Sequence, residues 1–356
     1  MPFANGYDVN EAQVAMTLAA LAYTNENALP GETIPHQQER IRAAIIQQLG
    51  NSDYATNNLW EFAWGPGLTS GDMMYVAKKK SADQYAVAIR GTDWSFLMDW
   101  IEDFDVLQLV AFPYISTQDA NIRISKGSMD GLTTLLGMNG AVIDSQSDAG
   151  PDMSLLQFLM DAALHAPGDI DIFVTGHSLG GALASVLAAW LSYETAQWGH
   201  LPGKVNVKTY TFAAPSAGNS NFATYYDNLF GANAWRVYNK LDAVPNAWQT
   251  LNVITTYYTP QPLCPLVFKG LIDLAADFTG SDQYTQPTNA RELPGEVNPA
   301  HNTNFVDQVE DQHSYDYYLQ LLGAKPIDIL SKVNPSAVMP TATPAGASPP
   351  PEAPSE

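Results

Sequence analysis

Apolar residues recur every three or four positions in two early segments of the chain, from Glu11 to Tyr23 and from His36 to Leu49. This spacing places them on one face of a helix. A third segment of the same kind runs from Ser154 to His165 and stops at Pro167 and Gly168, residue types that end helices. The pattern therefore predicts a helix in each of the three segments.

Other segments show continuous apolar runs or an alternation of apolar and polar residues, the patterns of buried and half-buried strands. We predict strands in DMMYVAK from Asp72, QYAVAIRG from Gln84, DIDIFVTG from Asp169, VNVKTYTFAAP from Val205 and AWRVYNK from Ala234. The run GGALASVLAAWLSYETAQW, which follows the third of these strands, predicts a further helix. Strands that alternate with helices indicate an α/β fold with a mainly parallel, doubly wound sheet.

The pattern weakens between Trp248 and Pro299, where Pro, Thr, Tyr and Gly are frequent. We expect a long irregular excursion here, with one helix near Leu271 to Phe278. An apolar helix follows His313, and residues 326–356 are rich in Pro, Ala, Ser and Thr without an apolar period. The sequence thus predicts one α/β domain over residues 1–325 and a disordered, partly polyproline tail over residues 326–356.

The charge balance limits the partners that the chain can have. Its 356 residues include 37 Asp and Glu but 16 Lys and Arg, for a net charge of −21. Such a surface repels phosphate backbones and anionic headgroups, so we expect no nucleic-acid partner, and any contact with lipid would be hydrophobic. No apolar run reaches the roughly 18 residues of a membrane span, and MPFANGYDVNEAQ lacks the regions of a secretory signal. We therefore predict a soluble protein that is not an integral membrane protein.

The stretch Gly176-His177-Ser178-Leu179-Gly180 fits the pattern G-x-S-x-G, with a predicted strand before it and a predicted helix after it. This context indicates a serine on a sharp strand-to-helix turn, where a strained backbone exposes the hydroxyl as a nucleophile. The two glycines lack the side chains that would block the turn. We expect the His177 side chain to point away from the nucleophile and to serve for packing.

A serine nucleophile needs a base and a group that orients the base, and in this architecture they follow in the order Ser, Asp or Glu, His. Asp242 lies in the turn LDAVP just beyond the predicted strand AWRVYNK, at the edge where α/β sites form. His313 precedes the apolar C-terminal helix and is the candidate base, with His301 as the alternative. The predicted catalytic triad is therefore Ser178, Asp242 and His313.

Acyl transfer also needs N–H donors for an oxyanion. We predict the backbone N–H of Leu179, directly after the nucleophile, and that of Thr92, which follows the strand QYAVAIRG and adds a hydroxyl. The next segment is amphipathic when wound on a helix, so we predict a lid over about residues 93–112, although a buried helix has the same pattern. The apolar side of this candidate lid, which would bind substrate, consists of Trp94, Phe96, Leu97, Met98, Trp100, Ile101 and Phe104.

Several of these segments together resemble the class 3, fungal-type triacylglycerol lipase family of the α/β-hydrolase superfamily. The matching stretches are AIRGTDWSFLMDWIEDF, VTGHSLGGALA, YTFAAPSAGNSNFA, RVYNKLDAVP and DQHSYDYYL, in the family's order. The resemblance covers about residues 70–320 and implies an α/β-hydrolase fold with the triad and oxyanion hole at the positions already named. It also favours a secreted protein, although the chain carries no signal peptide; a cytoplasmic protein is the alternative. The family's fungal members are disulfide-linked, whereas Cys264 is the only cysteine here.

We accordingly expect a serine carboxylic-ester hydrolase of the triacylglycerol lipase type, which cleaves acylglycerol esters through an acyl-enzyme intermediate. Its partners would be a lipid or ester substrate and a hydrophobic lipid–water interface. No cofactor and no metal are implied, since no cluster of His and carboxylates has ligand spacing. Two alternatives remain: an esterase for soluble, aromatic-acid or phospholipid esters without interfacial activation, and a non-catalytic binding module on the same fold.

Overall fold

The computed structural model of the protein describes residues 6–24, 27–91, 108–116, 119–143, 149–199, 204–279 and 284–328. In these ranges the α-helices are α1 (Val9–Leu21), α2 (Ile34–Leu49), α3 (Lys126–Gly137), α4 (Leu155–His165), α5 (Leu179–Thr195), α6 (Ser220–Phe230), α7 (Leu266–Thr279), α8 (Phe305–His313) and α9 (Tyr315–Leu321). The strands are β1 (Trp60–Leu68), β2 (Met73–Lys79), β3 (Gln84–Ile89), β4 (Leu109–Ala111), β5 (Arg123–Ser125), β6 (Asn139–Ile143), β7 (Ala149–Ser154), β8 (Ile170–His177), β9 (Val205–Phe212), β10 (Ala234–Asn239) and β11 (Ala290–Leu293). Short 3-10 helices cover Gly231–Asn233, Val244–Asn246, Leu251–Thr256 and Pro299–His301.

Nine of these strands form one central sheet in the order β11-β10-β9-β8-β3-β2-β1-β6-β7, and β4 pairs with β5 apart from it. The first five strands in this order run parallel to one another, whereas the pairings from β3 to β7 are antiparallel. Parallel strands end at the same edge of a sheet, so the turns after β3, β8, β9 and β10 lie side by side. This is the edge at which α/β proteins build their sites.

Alternating residues of the central strands supply two cores, one on each face of the sheet. In β3, Val87 and Ile89 belong to a core with α3, α4, α5 and α6, whereas Ala86 and Ala88 belong to a core with α1, α2 and α9. All four side chains are fully buried, as expected of a strand covered on both faces. The predicted α/β architecture with helices on both faces of the sheet is confirmed.

Helix α1 is capped and anchored by residues near its start. The Asp8 carboxylate accepts hydrogen bonds from the N–H groups of Asn10 and Glu11, at 2.8 and 2.9 Å, which satisfies two N-terminal donors of the helix. The fully buried ammonium of Lys208 in β9 binds the Glu11 carboxylate at 2.6 Å. The helix is therefore fastened to the sheet, and this anchor fixes the position of Tyr23 just beyond its end.

A third core lies in residues 243–309, which we call the insertion and which run from the turn after β10 into the first residues of α8. The ring of Phe305 contacts those of Tyr258 and Phe268, with centroids 5.1 and 5.3 Å away. The Tyr258 hydroxyl donates a hydrogen bond to the carbonyl oxygen of Leu241 at 2.9 Å. The insertion is thus a packed unit that is tied to the turn after β10.

The insertion contains more regular structure than the sequence pattern predicts. Helix α7 begins at Leu266, five residues before the expected position, and β11 adds an edge strand parallel to β10. The expectation of an irregular excursion was therefore wrong for this strand. Three of its four residues are exposed, so the strand depends on backbone pairing and carries no apolar pattern that could predict it.

Strand β1 was also not expected, because Gly65, Pro66 and Gly67 lie inside it and proline is rare in strand interiors. Shifts in its register against β2 fall between Phe62 and Trp64 and between Trp64 and Gly67. Such irregularities accommodate residues that regular pairing excludes. The glycines and the proline therefore hid the strand pattern of β1, which lies between β2 and β6 in the sheet.

Two expectations fall on parts of the chain outside the described residues. The candidate lid at about residues 93–112 lies there except for residues 108–112, and so does the tail from residue 329 onward. The division into a domain of residues 1–325 and a tail of residues 326–356 stays a prediction. The candidate lid side chains outside the described residues are Trp94, Phe96, Leu97, Met98, Trp100, Ile101 and Phe104.

Candidate active site

Ser178 stands between β8 and α5 on a sharply bent backbone. Its φ of 61° and ψ of −133° are unfavourable for a residue with a Cβ atom, and strain of this kind is found at functional positions. The Ser178 N–H donates to the carbonyl oxygen of Phe212 in β9 at 2.9 Å. The bend is thereby held against the neighbouring strand at the carboxyl edge of the sheet.

Close backbone contacts explain the glycines that flank this bend. A Cβ atom on Gly176 would lie 2.1 Å from the carbonyl oxygen of Gly180, and one on Gly180 would lie 2.4 Å from that of Ile89. Both distances are far below van der Waals contact, and backbone atoms cannot rotate away as a side chain can. The glycines therefore let the start of α5 press directly on β3 and β8.

Three side chains from distant parts of the chain meet at the bend. The Nε2 atom of His313 lies 2.8 Å from Ser178 Oγ, and its Nδ1 atom lies 2.9 and 3.1 Å from the two carboxylate oxygens of Asp242. Because a carboxylate only accepts, Nδ1 carries the proton and Nε2 accepts from the serine hydroxyl. All three residues are buried. The arrangement can take the serine proton and stabilise the imidazolium that forms.

The Asp242 carboxylate has two further donors besides His313. The N–H of Val244 donates to Oδ1 at 3.0 Å, and the Tyr318 hydroxyl donates to Oδ2 at 2.8 Å. The N–H of Asn239 in turn donates to the Tyr318 hydroxyl at 2.9 Å. Burial, and next the negative charge of Asp242, raise the pKa of Tyr318 well above its usual value, so the hydroxyl keeps its proton. Sequence reasoning missed Tyr318, whose place in an apolar helix pattern gives no sign of this contact.

Helix α8 ends at His313 and is held to β10 by an amide pair. Asn239 Nδ2 donates to the backbone carbonyl oxygen of Gln312 at 2.9 Å and to the side-chain Oε1 of Gln312 at 2.7 Å. The alternative base, His301, instead pairs through Nδ1 with the carboxylate of Asp311, which lies in α8 two residues before His313. The structure therefore brings His313, and not His301, to Ser178.

The start of α5 offers one of the two donors expected for an oxyanion. Leu179 is the first residue of this helix, where backbone N–H groups have no intrahelical acceptor and the helix dipole is positive. The other expected donor, Thr92, lies outside the described residues and stays a prediction. Its neighbour Gly91 is close to the nucleophile, since a Cβ atom on Gly91 would lie 3.0 Å from Ser178 Cβ.

His177 makes two directed contacts, although the sequence suggested packing alone. Its Nε2 atom lies 2.8 Å from the carbonyl oxygen of His313, and its Nδ1 atom lies 3.1 Å from the Tyr23 hydroxyl. Burial, and next the neighbouring His313, lower the pKa of His177 well below its usual value. The ring is therefore neutral at neutral pH, and the two hydrogen-bond partners of its nitrogens are the backbone of His313 and the Tyr23 hydroxyl, not Ser178 Oγ.

Within the described ranges, no three His, Cys, Asp or Glu side chains gather as the ligands of a metal ion would. None of the helices in those ranges combines the length and the apolar composition that crossing a bilayer requires.

Comparisons with known proteins point to one family. Residues 86–251 match the family model described as Lipase (class 3). The crystal structure of M37 lipase superposes with a TM-score of 0.76 at 29% sequence identity, covering 89% of this chain and 93% of that chain. This likeness confirms the predicted α/β-hydrolase fold.

Curated relatives match over a shorter stretch. Lipase ZK262.3 of Caenorhabditis elegans is 30% identical over 149 residues, 40% of this chain and 38% of that protein. Phospholipase A1-IIalpha of Arabidopsis thaliana is 29% identical over 166 residues, 45% of this chain and 38% of that protein. The chain thus matches less than two fifths of the length of these two relatives.

Proposed function

We propose that the protein is a serine carboxylic-ester hydrolase that acts on acylglycerols, and the match of residues 86–251 to the class 3 lipase family model supports this proposal. The observation that carries the proposal is the imidazole of His313, whose two nitrogens lie 2.8 Å from Ser178 Oγ and 2.9 Å from Asp242 Oδ2. A nucleophile within reach of a base, and a base oriented by a third group, are the geometric requirements of covalent ester hydrolysis.

In the first half of the reaction, His313 Nε2 takes the proton of Ser178 while Oγ attacks the ester carbonyl carbon. The oxyanion of the tetrahedral intermediate accepts hydrogen bonds from the backbone N–H groups of Leu179 and Thr92. The bond from carbon to the alcohol oxygen then breaks, and His313 gives its proton to the departing oxygen. The alcohol leaves, and the acyl group stays on Ser178.

In the second half, His313 takes a proton from a water molecule as the water oxygen adds to the acyl carbon. The bond from that carbon to Ser178 Oγ breaks, the proton returns to Oγ, and the free acid leaves. Throughout, Asp242 accepts the Nδ1 proton and stabilises the imidazolium. The enzyme returns to its starting state with one water consumed for each ester.

The substitution Ser178→Ala tests this proposal. We expect the turnover of p-nitrophenyl esters and of emulsified triglyceride to fall by about six orders of magnitude, because both half-reactions need Oγ. Ser185→Ala is the matched control, since the Ser185 hydroxyl bonds to the carbonyl oxygen of Ala182 within α5 at 2.8 Å and should leave turnover intact. Full hydrolysis by the Ser178→Ala variant would refute the assignment. A wild-type protein without ester turnover would favour a non-catalytic binding module.

We further propose that the protein works at a lipid–water interface, which it contacts through an apolar patch on the insertion. The patch consists of Leu263, Leu266 and Val267, which are 69%, 87% and 77% exposed, whereas no other large apolar side chain reported as exposed in the described ranges exceeds 51%. Leu266 and Val267 are the first two residues of α7, and Leu263 precedes the helix by three positions, so the three exposed side chains lie close together along the chain.

The place of this patch in the fold supports a lipid partner. Phe268, the residue after the patch, is buried in the core of the insertion, and Leu109, in the described last part of the candidate lid, packs against the same core. The patch and the candidate lid are therefore joined through one core beside the turn that carries Asp242. With a net charge of −21, the protein would adsorb by burial of apolar surface and not by charge.

A second candidate substrate is the ester bond of phospholipids, which the similarity to Phospholipase A1-IIalpha favours. The same triad would serve it, because only the leaving alcohol differs. A direct competition between emulsified triglyceride and a neutral phosphatidylcholine vesicle decides between them. Preferential release of fatty acid from the triglyceride supports the acylglycerol proposal, and preferential release from the vesicle favours the phospholipid.

A further inference from the structure

The ring of His177 is buried between Tyr23 and the base. Its centroid lies 4.7 Å from that of His313 and 5.9 Å from that of Tyr23. The Tyr23 ring stacks on Tyr315, the first residue of α9, with centroids 5.1 Å apart. Residues from the end of α1, the end of β8 and the junction of α8 and α9 therefore meet directly behind His313.

The hydrogen-bond partners fix which His177 nitrogen carries the proton. Nε2 lies 2.8 Å from the carbonyl oxygen of His313, and a carbonyl only accepts, so Nε2 must donate. Nδ1 is then bare and faces the Tyr23 hydroxyl at 3.1 Å, and this hydroxyl also lies 3.3 Å from the carbonyl oxygen of His177, so its one hydrogen is shared between two acceptors of the same residue. The opposite tautomer would leave a lone pair on Nε2 facing a carbonyl oxygen, a repulsive contact.

Tyr23 also lies against the strand end that leads to the expected oxyanion residue. A Cβ atom on Gly91 would lie 2.3 Å from the Tyr23 hydroxyl and 2.5 Å from the carbonyl oxygen of His177. The absence of a side chain at this position lets the hydroxyl reach His177. The Tyr23 hydroxyl is thus packed between His177 and Gly91, the residue before the expected oxyanion donor Thr92.

We propose that Tyr23 and His177 are positioning residues for the base: the Tyr23 hydroxyl holds the His177 ring in place at Nδ1, and the Nε2 proton of that ring holds the backbone of His313 so that the His313 imidazole meets Ser178. The inference rests on the proposed esterase function. His177 moves no proton during turnover, and Tyr23 touches no reacting atom. Their effect is on the fraction of time that His313 Nε2 lies within hydrogen-bonding distance of Ser178 Oγ.

The central test is a double-mutant cycle with Tyr23→Phe and His177→Gln. Tyr23→Phe keeps the aromatic packing but removes the hydroxyl that holds the His177 ring, so kcat on p-nitrophenyl butyrate should fall about tenfold with KM unchanged. A glutamine at position 177 has no imidazole ring for the Tyr23 hydroxyl to hold. In the His177→Gln background, Tyr23→Phe should therefore change kcat by less than about twofold.

Tyr75→Phe is the matched control for loss of a buried hydroxyl. The Tyr75 hydroxyl donates to the carbonyl oxygen of Leu18 in α1 at 2.9 Å, so its removal perturbs the same helix without touching the site. Its kcat should equal that of the wild type. An equal fall of kcat in Tyr23→Phe and Tyr75→Phe, no fall in Tyr23→Phe, or an unchanged fall in the His177→Gln background would each overturn the proposal.

A spectroscopic measurement on the wild-type protein tests the proposal even if the variants do not fold. It requires no enzyme activity. Imidazole 15N chemical shifts of the wild-type protein separate a protonated nitrogen from a bare one. The proposal requires His177 to be protonated at Nε2 and bare at Nδ1, and a proton on Nδ1 would contradict it. Failure of the esterase function would appear instead as a wild-type protein that hydrolyses no ester, whatever this spectrum shows.

Discussion

At the scale of single residues, the chemistry of the site depends on how the donors share the Asp242 carboxylate. His313, Val244 and Tyr318 all donate to it, at distances between 2.8 and 3.1 Å. Hydrogen bonds to an ionised group are stronger than those between neutral groups. The two additional donors fix the carboxylate in the plane that His313 requires and spread its negative charge.

The variant Tyr318→Phe should therefore weaken catalysis without removing the triad. We expect kcat/KM to fall about tenfold, the effect of losing one hydrogen bond to a charged group. Initial rates with p-nitrophenyl butyrate measure the effect, and an unchanged kcat/KM would show that Tyr318 serves only for packing.

The residues of the site differ in how far the sequence could predict them. Ser178 is indicated by its motif, and Asp242 and His313 follow from the order of the triad and from the ends of the predicted elements. Tyr318 and Tyr23 are not predictable in this way, because their hydroxyls meet partners 76 and 154 positions away. Both tyrosines occupy positions that an apolar helix pattern already explains, so nothing local marks them.

At the scale of elements, the position of Ser178 depends on how closely α5 approaches β3 and β8. The approach is limited by backbone atoms, as the clearances at Gly176 and Gly180 show. Packed interiors do not yield to an added methyl group without a shift of the surrounding structure. The glycines are therefore steric requirements for the site and not merely sources of flexibility.

The substitution Gly176→Ala should separate α5 from the sheet. Its Cβ atom would lie 2.1 Å from the carbonyl oxygen of Gly180, so we expect the free energy of unfolding to fall by about 3 kcal/mol and esterase activity to be lost. Gly168→Ala, where the added carbon meets nothing within 4 Å, is the matched control and should change neither. Urea denaturation with activity assays checks both, and a Gly176→Ala variant of wild-type stability would contradict this account of the bend.

The predicted elements with strong periodicity are present in the fold, whereas elements that depend on their neighbours were missed. Helices α1, α2 and α4 begin and end within two residues of the expected bounds, because the spacing of apolar residues in the local sequence determines their buried faces. Strand β11 is held at an exposed edge by its pairing with β10, and β1 contains Pro66 at irregular pairing. Such strands form because a partner strand pairs with them. The local sequence pattern of a single segment does not indicate that partner.

At the scale of the whole molecule, an acidic net charge is combined with a strongly exposed apolar patch among the residues that the structure describes. The net charge of −21 keeps the protein from anionic surfaces, and the patch of Leu263, Leu266 and Val267 offers apolar area that folding leaves uncovered. Burial of such side chains in lipid is favourable by about 1.5–3 kcal/mol each. The proposed lipid surface is therefore a neutral one.

The double substitution Leu266→Ser and Val267→Ser should separate adsorption from chemistry. We expect adsorption to emulsified triglyceride to weaken at least about tenfold, whereas kcat/KM on soluble p-nitrophenyl butyrate stays at the wild-type value. Ile34→Ser is the control, because Ile34 is 51% exposed at the start of α2 and is not part of the patch. Equal adsorption by the double variant and the wild type would exclude the patch as the docking surface, and self-association of the wild type lost in the double variant would indicate a second copy instead.

The central claim is that one activated hydroxyl, that of Ser178, carries out ester hydrolysis. The most direct measurement is to titrate the native protein with a fluorophosphonate ester, follow the esterase activity, and locate the adduct by peptide mass spectrometry. The account predicts one adduct per chain, on Ser178, with activity lost in proportion to labelling. Activity that persists when Ser178 is fully labelled, or inactivation with the adduct on another residue, would contradict it.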